Sequence, residues 1–251
     1  MPSTIEKLTA IEKRFIEVSG LDTEQEVLTQ WPLTKETHLQ VKTDKSKSDE
    51  FGEVFTPLWL VDDMLSRVSD NDWKNKNKVT LDMCSGYGQF TVRMLRKKMD
   101  ALTKVNKDFN LGRFLNSTHN FNEIQSSSCF KLLYIFGKNI NLFIGDSRML
   151  PLLPEDSDGI LFYASSLQEW VDITTEVQNY LPTDLSGSTF SQDKVASFVT
   201  FLDDLMLGIN TIENGTDDIF GSDIEKVEEV EEDSDLVMVD DTASNTTDDL
   251  F

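Results

Sequence analysis

The nine residues Asp82-Met83-Cys84-Ser85-Gly86-Tyr87-Gly88-Gln89-Phe90 carry the densest chemical signal in this chain. An apolar run, Val79-Thr80-Leu81, precedes them, and a helical pattern through Val92, Met94 and Leu95 follows. The stretch is therefore expected at a strand-to-helix turn. Two glycines at such a turn take dihedrals barred to other residues and let the backbone approach a ligand closely. The next helix aims its unpaired N–H groups at the same spot. Asp82 adds an acceptor at the strand end. This is the layout with which α/β proteins hold nucleotide-like ligands. Metal chemistry is not expected. Cys84 and Cys129 are the only cysteines, without metal-type spacing, and His38 and His119 stand alone. The cysteines are expected to be reduced and partly buried, as in a cytosolic protein.

The elements that must position this turn follow from periodicity. Ile5, Leu8, Ile11, Phe15 and Val18 fall on one face of a helix over 4–18. Residues 35–50 are polar and read as a linker. A helix fits 58–68, with Thr56 as its cap and Pro57 in its first turn. A strand over 79–83 and a helix over about 88–99 flank the glycine turn. The segment 100–117 reads as irregular. A strand over 119–124, a helix over 126–136, and strands over 140–144 and 159–163 come next. Helices are expected at about 166–180 and 192–207. Alternating strands and helices predict an α/β domain with a parallel sheet and crossover helices.

The net charge of −22 is unevenly spread. From Glu213 onward there are 15 acidic residues and one lysine, which accounts for −14 of it. That segment is poor in large apolar side chains and is expected to be disordered. The expected organisation is an N-terminal helix and linker over 1–50, an α/β domain over 51–212 and an acidic tail over 213–251. A free-standing DNA binder needs a basic face. The basic groups Arg93, Arg96, Lys97 and Lys98, and Lys42, Lys45 and Lys47, are short enough to be ordinary solvated surface. The longest apolar run falls short of a membrane span, and the charged start at Met1–Lys13 is unlike a signal peptide, so a cytoplasmic protein is expected.

The glycine turn has an upstream companion about twenty-five residues away, Phe51-Gly52-Glu53-Val54-Phe55-Thr56-Pro57-Leu58. The two segments together resemble the S-adenosylmethionine-dependent DNA methyltransferases that modify the exocyclic amino group of adenine. That family carries Gly-x-(Phe/Val)-(Phe/Tyr)-Thr-Pro before a helix, then Asp-Pro-x-Cys-Gly-x-Gly-x-Phe. In this chain Met83 replaces the proline of the second motif. The resemblance covers about residues 51–164. It implies a Rossmann-like class I methyltransferase sheet and S-adenosylmethionine as cofactor. It also implies roles: Thr56 and Pro57 hold the amino-acid end of the cofactor, and Gly86 and Gly88 admit it. Asp82 hydrogen-bonds nearby, and Phe90 lines the pocket. Glu123, at the end of the second strand, would accept both ribose hydroxyls, and Asp146, after the third, would lie near the adenine. Glu123 as surface charge and Asp146 as a turn residue or helix cap are the plainer alternatives.

The family's catalytic motif, (Asn/Asp/Ser)-Pro-Pro-aromatic, has no counterpart, because Pro-Pro does not occur in the sequence. Tyr163, at the end of the fourth strand, is the one candidate to stack on a flipped adenine; an ordinary strand residue is the alternative. The sheet is expected to be truncated, since few residues remain before the acidic tail. The tail ends Asp248-Asp249-Leu250-Phe251, similar to the acidic tips of bacterial and phage single-stranded-DNA-binding proteins. Two functions follow as expectations. One is an adenine methyltransferase, phage-encoded and working in the host cytoplasm. The other is a methyltransferase-fold scaffold that reaches a DNA- or RNA-processing enzyme through residues 213–251.

Overall fold

Parallel strands demand crossover connections, and the alternation of elements supplies them. The computed structural model describes residues 3–21, 28–37 and 55–207. Helix α1 spans Thr4–Ser19 and starts at a capping box, in which Ser3 Oγ accepts from the Glu6 N–H and the Glu6 carboxylate accepts from the Ser3 N–H. It buries Leu8, Ile11 and Phe15 as its spacing predicts, while Ile5 stays exposed. Helix α2 spans Leu58–Ser66. Strand β1 (Thr80–Asp82) leads through the glycine turn into α3 (Gln89–Thr103). Strand β2 (His119–Glu123), α4 (Ser126–Phe136), β3 (Asn141–Ile144), β4 (Ile160–Ala164), β5 (Glu169–Asp172) and α5 (Gln192–Met206) complete the order.

The five strands form one sheet in the order β1-β2-β3-β4-β5. The first four run parallel and β5 pairs antiparallel to β4. The α/β class with a mostly parallel sheet is therefore as expected. Thr80, His119 and Phe121 share one face by register and alternation. Helices α3 and α4 cover that face: Thr91 of α3 meets His119, and Phe136 of α4 packs on Phe121. On the opposite face Phe143, Leu161 and Trp170 form a cluster roofed by Met149, Leu150 and Leu153. Nearer β1 that face is polar: Asn141 donates to Asn120, and Asn122 donates to the Phe143 and Gly145 carbonyls. Leu81 beside them is exposed.

Several expectations need correction. Pro57, not Thr56, is the N-cap residue of α2, and no side chain caps that end. The segment 100–117 is partly helical: α3 continues to Thr103, and a helical turn at Leu111–Arg113 runs into a wide turn at Phe114–Thr118. The helix expected over 166–180 is instead strand β5 followed by one helical turn at Thr174–Val177. The basic run of α3 is not solvated surface. Arg93, Arg96 and Lys98 are buried. Arg93 forks onto both carboxylate oxygens of Asp62, and Arg96 onto Glu12. Lys98 donates to the carbonyls of Asp72 and Asn75. Their long stems cross apolar surface while each head finds a partner. His38, the lysines at 42, 45 and 47, Phe51–Val54 and the acidic tail lie outside the described residues.

Candidate functional site

The C-terminal ends of parallel strands are where open α/β sheets bind ligands. Asp82, Glu123 and Asp146 all lie at that edge, on or just after β1, β2 and β3. The turn joining β1 to α3 is built on its two glycines, both left-handed, with φ +52° at Gly86 and +81° at Gly88. Each also faces an aromatic ring. A Cβ on Gly86 would stand 2.8 Å from Cε1 of Phe55, and one on Gly88 2.7 Å from Cζ of Phe136. Only glycine meets both demands. Phe55 belongs to the upstream motif, and its ring lies 4.4 Å from that of Tyr87. The fold thus joins the two motifs, through ring-on-backbone packing.

Glu123 is buried, so the surface-charge alternative does not hold. Its Oε2 accepts from the Gly86 N–H at 2.7 Å. Its Oε1 accepts from the N–H groups of Ile124 and Gln125 at 2.9 Å each, at the entry to α4. The carboxylate therefore clamps the glycine turn onto the end of β2. Asp82 is the opposite case. Its Oδ2 is buried and has no hydrogen-bond partner among the described residues. Burial, and then the neighbouring charge of Glu123, push its carboxyl up to about 6, against the pull of the Cys84 N–H. The Oε1 of Gln89, in the first turn of α3, is likewise buried and unpartnered. Orphaned acceptors at a strand end and at the start of the next helix mark a place where a donor would be welcome.

The other expected residues are placed differently. Asp146 caps the short helical turn at Ser147–Leu152 and holds Arg148 through its backbone and side chain, which draws its carboxyl down to about 2. That is the plainer, capping role. Phe90 packs against Val61, Leu65 and Trp73 beneath α2. Tyr163 pairs across the β4–β5 hairpin with Trp170, their rings T-shaped at 5.4 Å. It is part of a packed cluster, as an ordinary strand residue would be. The sequence pattern does not mark Gln89 as a site residue. Its place as the first residue of α3, beside a left-handed glycine cap, was the available signal.

His119 lies at the far end of β2 and is fully enclosed. Thr80 Oγ1 is 2.7 Å from its Nδ1 and Thr91 Oγ1 2.8 Å from its Nε2. Burial drives its imidazole down to about 3, so it stays neutral and ties β1 and α3 to β2. Among the described residues there is no cluster of three or more His, Cys, Asp or Glu side chains fit to hold a metal. No described helix is long and apolar enough to cross a membrane. The chain matches none of the protein-family models, curated proteins or solved structures with which it was compared.

Proposed function

We propose that the chain binds S-adenosylmethionine at the C-terminal edge of β1 and β2, as a protein of the adenine-methyltransferase type. One observation carries this: among the described residues, two buried acceptors, Asp82 Oδ2 and Gln89 Oε1, have no hydrogen-bond partner, and both belong to the turn that bears the family-like motif. Both atoms accept hydrogen bonds, and the pair Asp82 and Glu123 concentrates negative charge. The cofactor brings what such a place lacks, an ammonium donor and a sulfonium cation. Asp82 and Gln89 would hold the ammonium, and Glu123 would keep the turn in place through its bond to Gly86. When bound, the cofactor supplies an electrophilic methyl group.

Thermal unfolding with and without S-adenosylmethionine tests this. The wild type is expected to gain stability with ligand concentration, and Asp82→Asn to lose most of that gain while remaining folded. A flat response of the wild type rules the assignment out. Gly86→Arg, the obvious alternative, is a poor probe, because the side chain would collide with Phe55 whether or not a ligand binds there.

A second reading, a methyltransferase-fold scaffold without activity, is favoured by Tyr163. Its ring is engaged with Trp170, and the β4 end continues as Ala164-Ser165-Ser166, without a proline or an aromatic. Transfer of a labelled methyl group to DNA or RNA separates the two readings, since the scaffold binds cofactor without transfer. In the scaffold reading residues 213–251 reach a nucleic-acid enzyme. Their deletion is then expected to abolish its capture, and capture that survives removes the tail from the account.

A further inference from the structure

The four tryptophans divide in two. Trp73 and Trp170 are buried in the core. Trp31 and Trp59 each keep a solvent-facing side, and both line one groove of about 620 Å³. That size suits a small ligand, for which sites run at about 300–1,000 Å³. Lys35, Ser66, Arg67 and Lys97 line the groove with them. None of the residues of the glycine turn lines it. Leu58, Val61 and Leu65 face the core, whereas Trp59, Asp63 and Ser66 fall on the other side of that helix.

The groove carries an excess of positive charge. Lys35, Arg67 and Lys97 bring three cations. Of the two carboxylates there, Asp62 is neutralised by the buried Arg93, which donates to both its oxygens. Among the described residues Asp63 pairs with Arg67 alone, at 3.3 Å between exposed side chains. Such a pair is weak and its guanidinium is easily redirected, most readily to a phosphate that can take it bidentately. A local excess of positive charge in a chain of −22 needs a reason.

The platform is also fixed in advance. Arg93 stacks on the Trp31 ring at 4.2 Å and donates to the carbonyls of Leu28 and Gln30, while the Leu33 N–H donates to Asp62. The strap that carries Trp31 is thereby stapled to α2 and α3. Lys35 Nζ sits 5.2 Å from the centre of the Trp59 ring. With cations already at both rings, a cationic guest is repelled. A bare anion would leave the indole faces unused. The guest that uses both is a flat π-system that carries negative charge.

We propose that this groove binds an unstacked nucleobase together with its phosphate, the base against Trp59 and Trp31 and the phosphate at Lys35 and Arg67. The guest is a free nucleotide or one exposed nucleotide of a single strand. The inference does not rest on the S-adenosylmethionine assignment, whose residues are not among those that line the groove.

Titration of the full chain with dAMP and with a short oligothymidylate, read by tryptophan emission and by anisotropy of a labelled strand, tests it. Saturable quenching is expected, weakening as salt rises. The exposed double substitution Lys35→Ala/Arg67→Ala, and separately Trp59→Leu, are each expected to weaken binding by about tenfold or more at an unchanged unfolding midpoint. Equal affinity for dAMP and the strand identifies a nucleotide site, and tighter binding of the strand identifies a single-strand site. Absence of saturable binding for both ligands overturns the proposal. So does binding that is unchanged in both variants, or quenching by an acidic peptide but not by nucleotides.

Discussion

Replacing Asp82 by asparagine should make the unliganded protein more stable at neutral pH. The folded chain holds the Asp82 carboxyl at about 6, against an ordinary value of 3.8. An acid with a raised folded-state pKa binds its proton more tightly when folded. Its contribution is therefore most favourable below the ordinary value, is lost as pH rises from 3.8 to about 6, and is fully lost above that. At about 1.4 kcal/mol per pH unit, the rise corresponds to about 3 kcal/mol, reduced to about 2–3 because water reaches part of the side chain. The asparagine side chain keeps an acceptor for the Cys84 N–H and cannot ionise. The stability difference between variant and wild type should thus grow from near zero at about pH 4 to about 2–3 kcal/mol at pH 7. For a body of this size that is about 4–12 °C in unfolding midpoint. Urea unfolding of both proteins across that range measures it, and the difference cancels the titrating groups that do not interact with Asp82. Parallel curves would mean that folding leaves the Asp82 carboxyl at its ordinary value, and would refute the reasoning. A cationic ligand at Asp82 should act oppositely, with its stabilising effect larger above about pH 6 than below.

Two further substitutions probe the frame. Gly88→Ala places a Cβ at φ +81° and against the Phe136 ring; left-handed strain and overpacking together should cost about 2–5 kcal/mol in chemical unfolding. Arg93→Met leaves the Asp62 carboxylate buried and unpaired and should cost about 3–5 kcal/mol. The double variant Arg93→Met/Asp62→Leu should recover only part of that, because the Leu33 N–H and the Leu28 carbonyl then lose their partners. Full recovery in the same unfolding assay would refute the stapling role of the pair.

Where local pattern and tertiary need agreed, the sequence was informative. Helix α4 falls on Ser126–Phe136 as its periodicity predicts, and its expected inward residues Cys129, Leu132, Leu133 and Phe136 are all buried. Strand β5 was not legible. Glu169-Trp170-Val171-Asp172 is four residues long, and the hairpin that creates it turns through Ser165–Gln168 without a glycine, with Gln168 itself at φ +56°. What fixes the strand is Trp170, which must cover Phe143, a contact no local window contains. The basic run of α3 misled for a related reason. Its partners Glu12, Asp62, Asp72 and Asn75 come from three earlier segments, so the burial of Arg93, Arg96 and Lys98 depends on topology. Of the site, the turn and its link to Phe55 could be anticipated, whereas the contrast between a satisfied Glu123 and an unsatisfied Asp82 could not.

That contrast also bears on where a ligand would be held. In doubly wound sheets the binding crevice opens where the strand order reverses and neighbouring loops diverge to opposite faces. The described strands run in plain chain order, and α3 and α4 lie on the same face, so no such reversal occurs among them. The two glycines, which first suggest a cradle for a ligand, are accounted for by Phe55 and Phe136 filling the space that side chains would take. The Gly86 N–H is already engaged by Glu123. Packing thus explains each feature of the motif except two atoms, Asp82 Oδ2 and Gln89 Oε1. A buried carboxylate oxygen without a donor, raised in pKa beside a second carboxylate that has three, is costly for a fold to keep. A donor supplied by a bound molecule would remove that cost, so these acceptors, rather than the glycines beside them, are what call for a ligand.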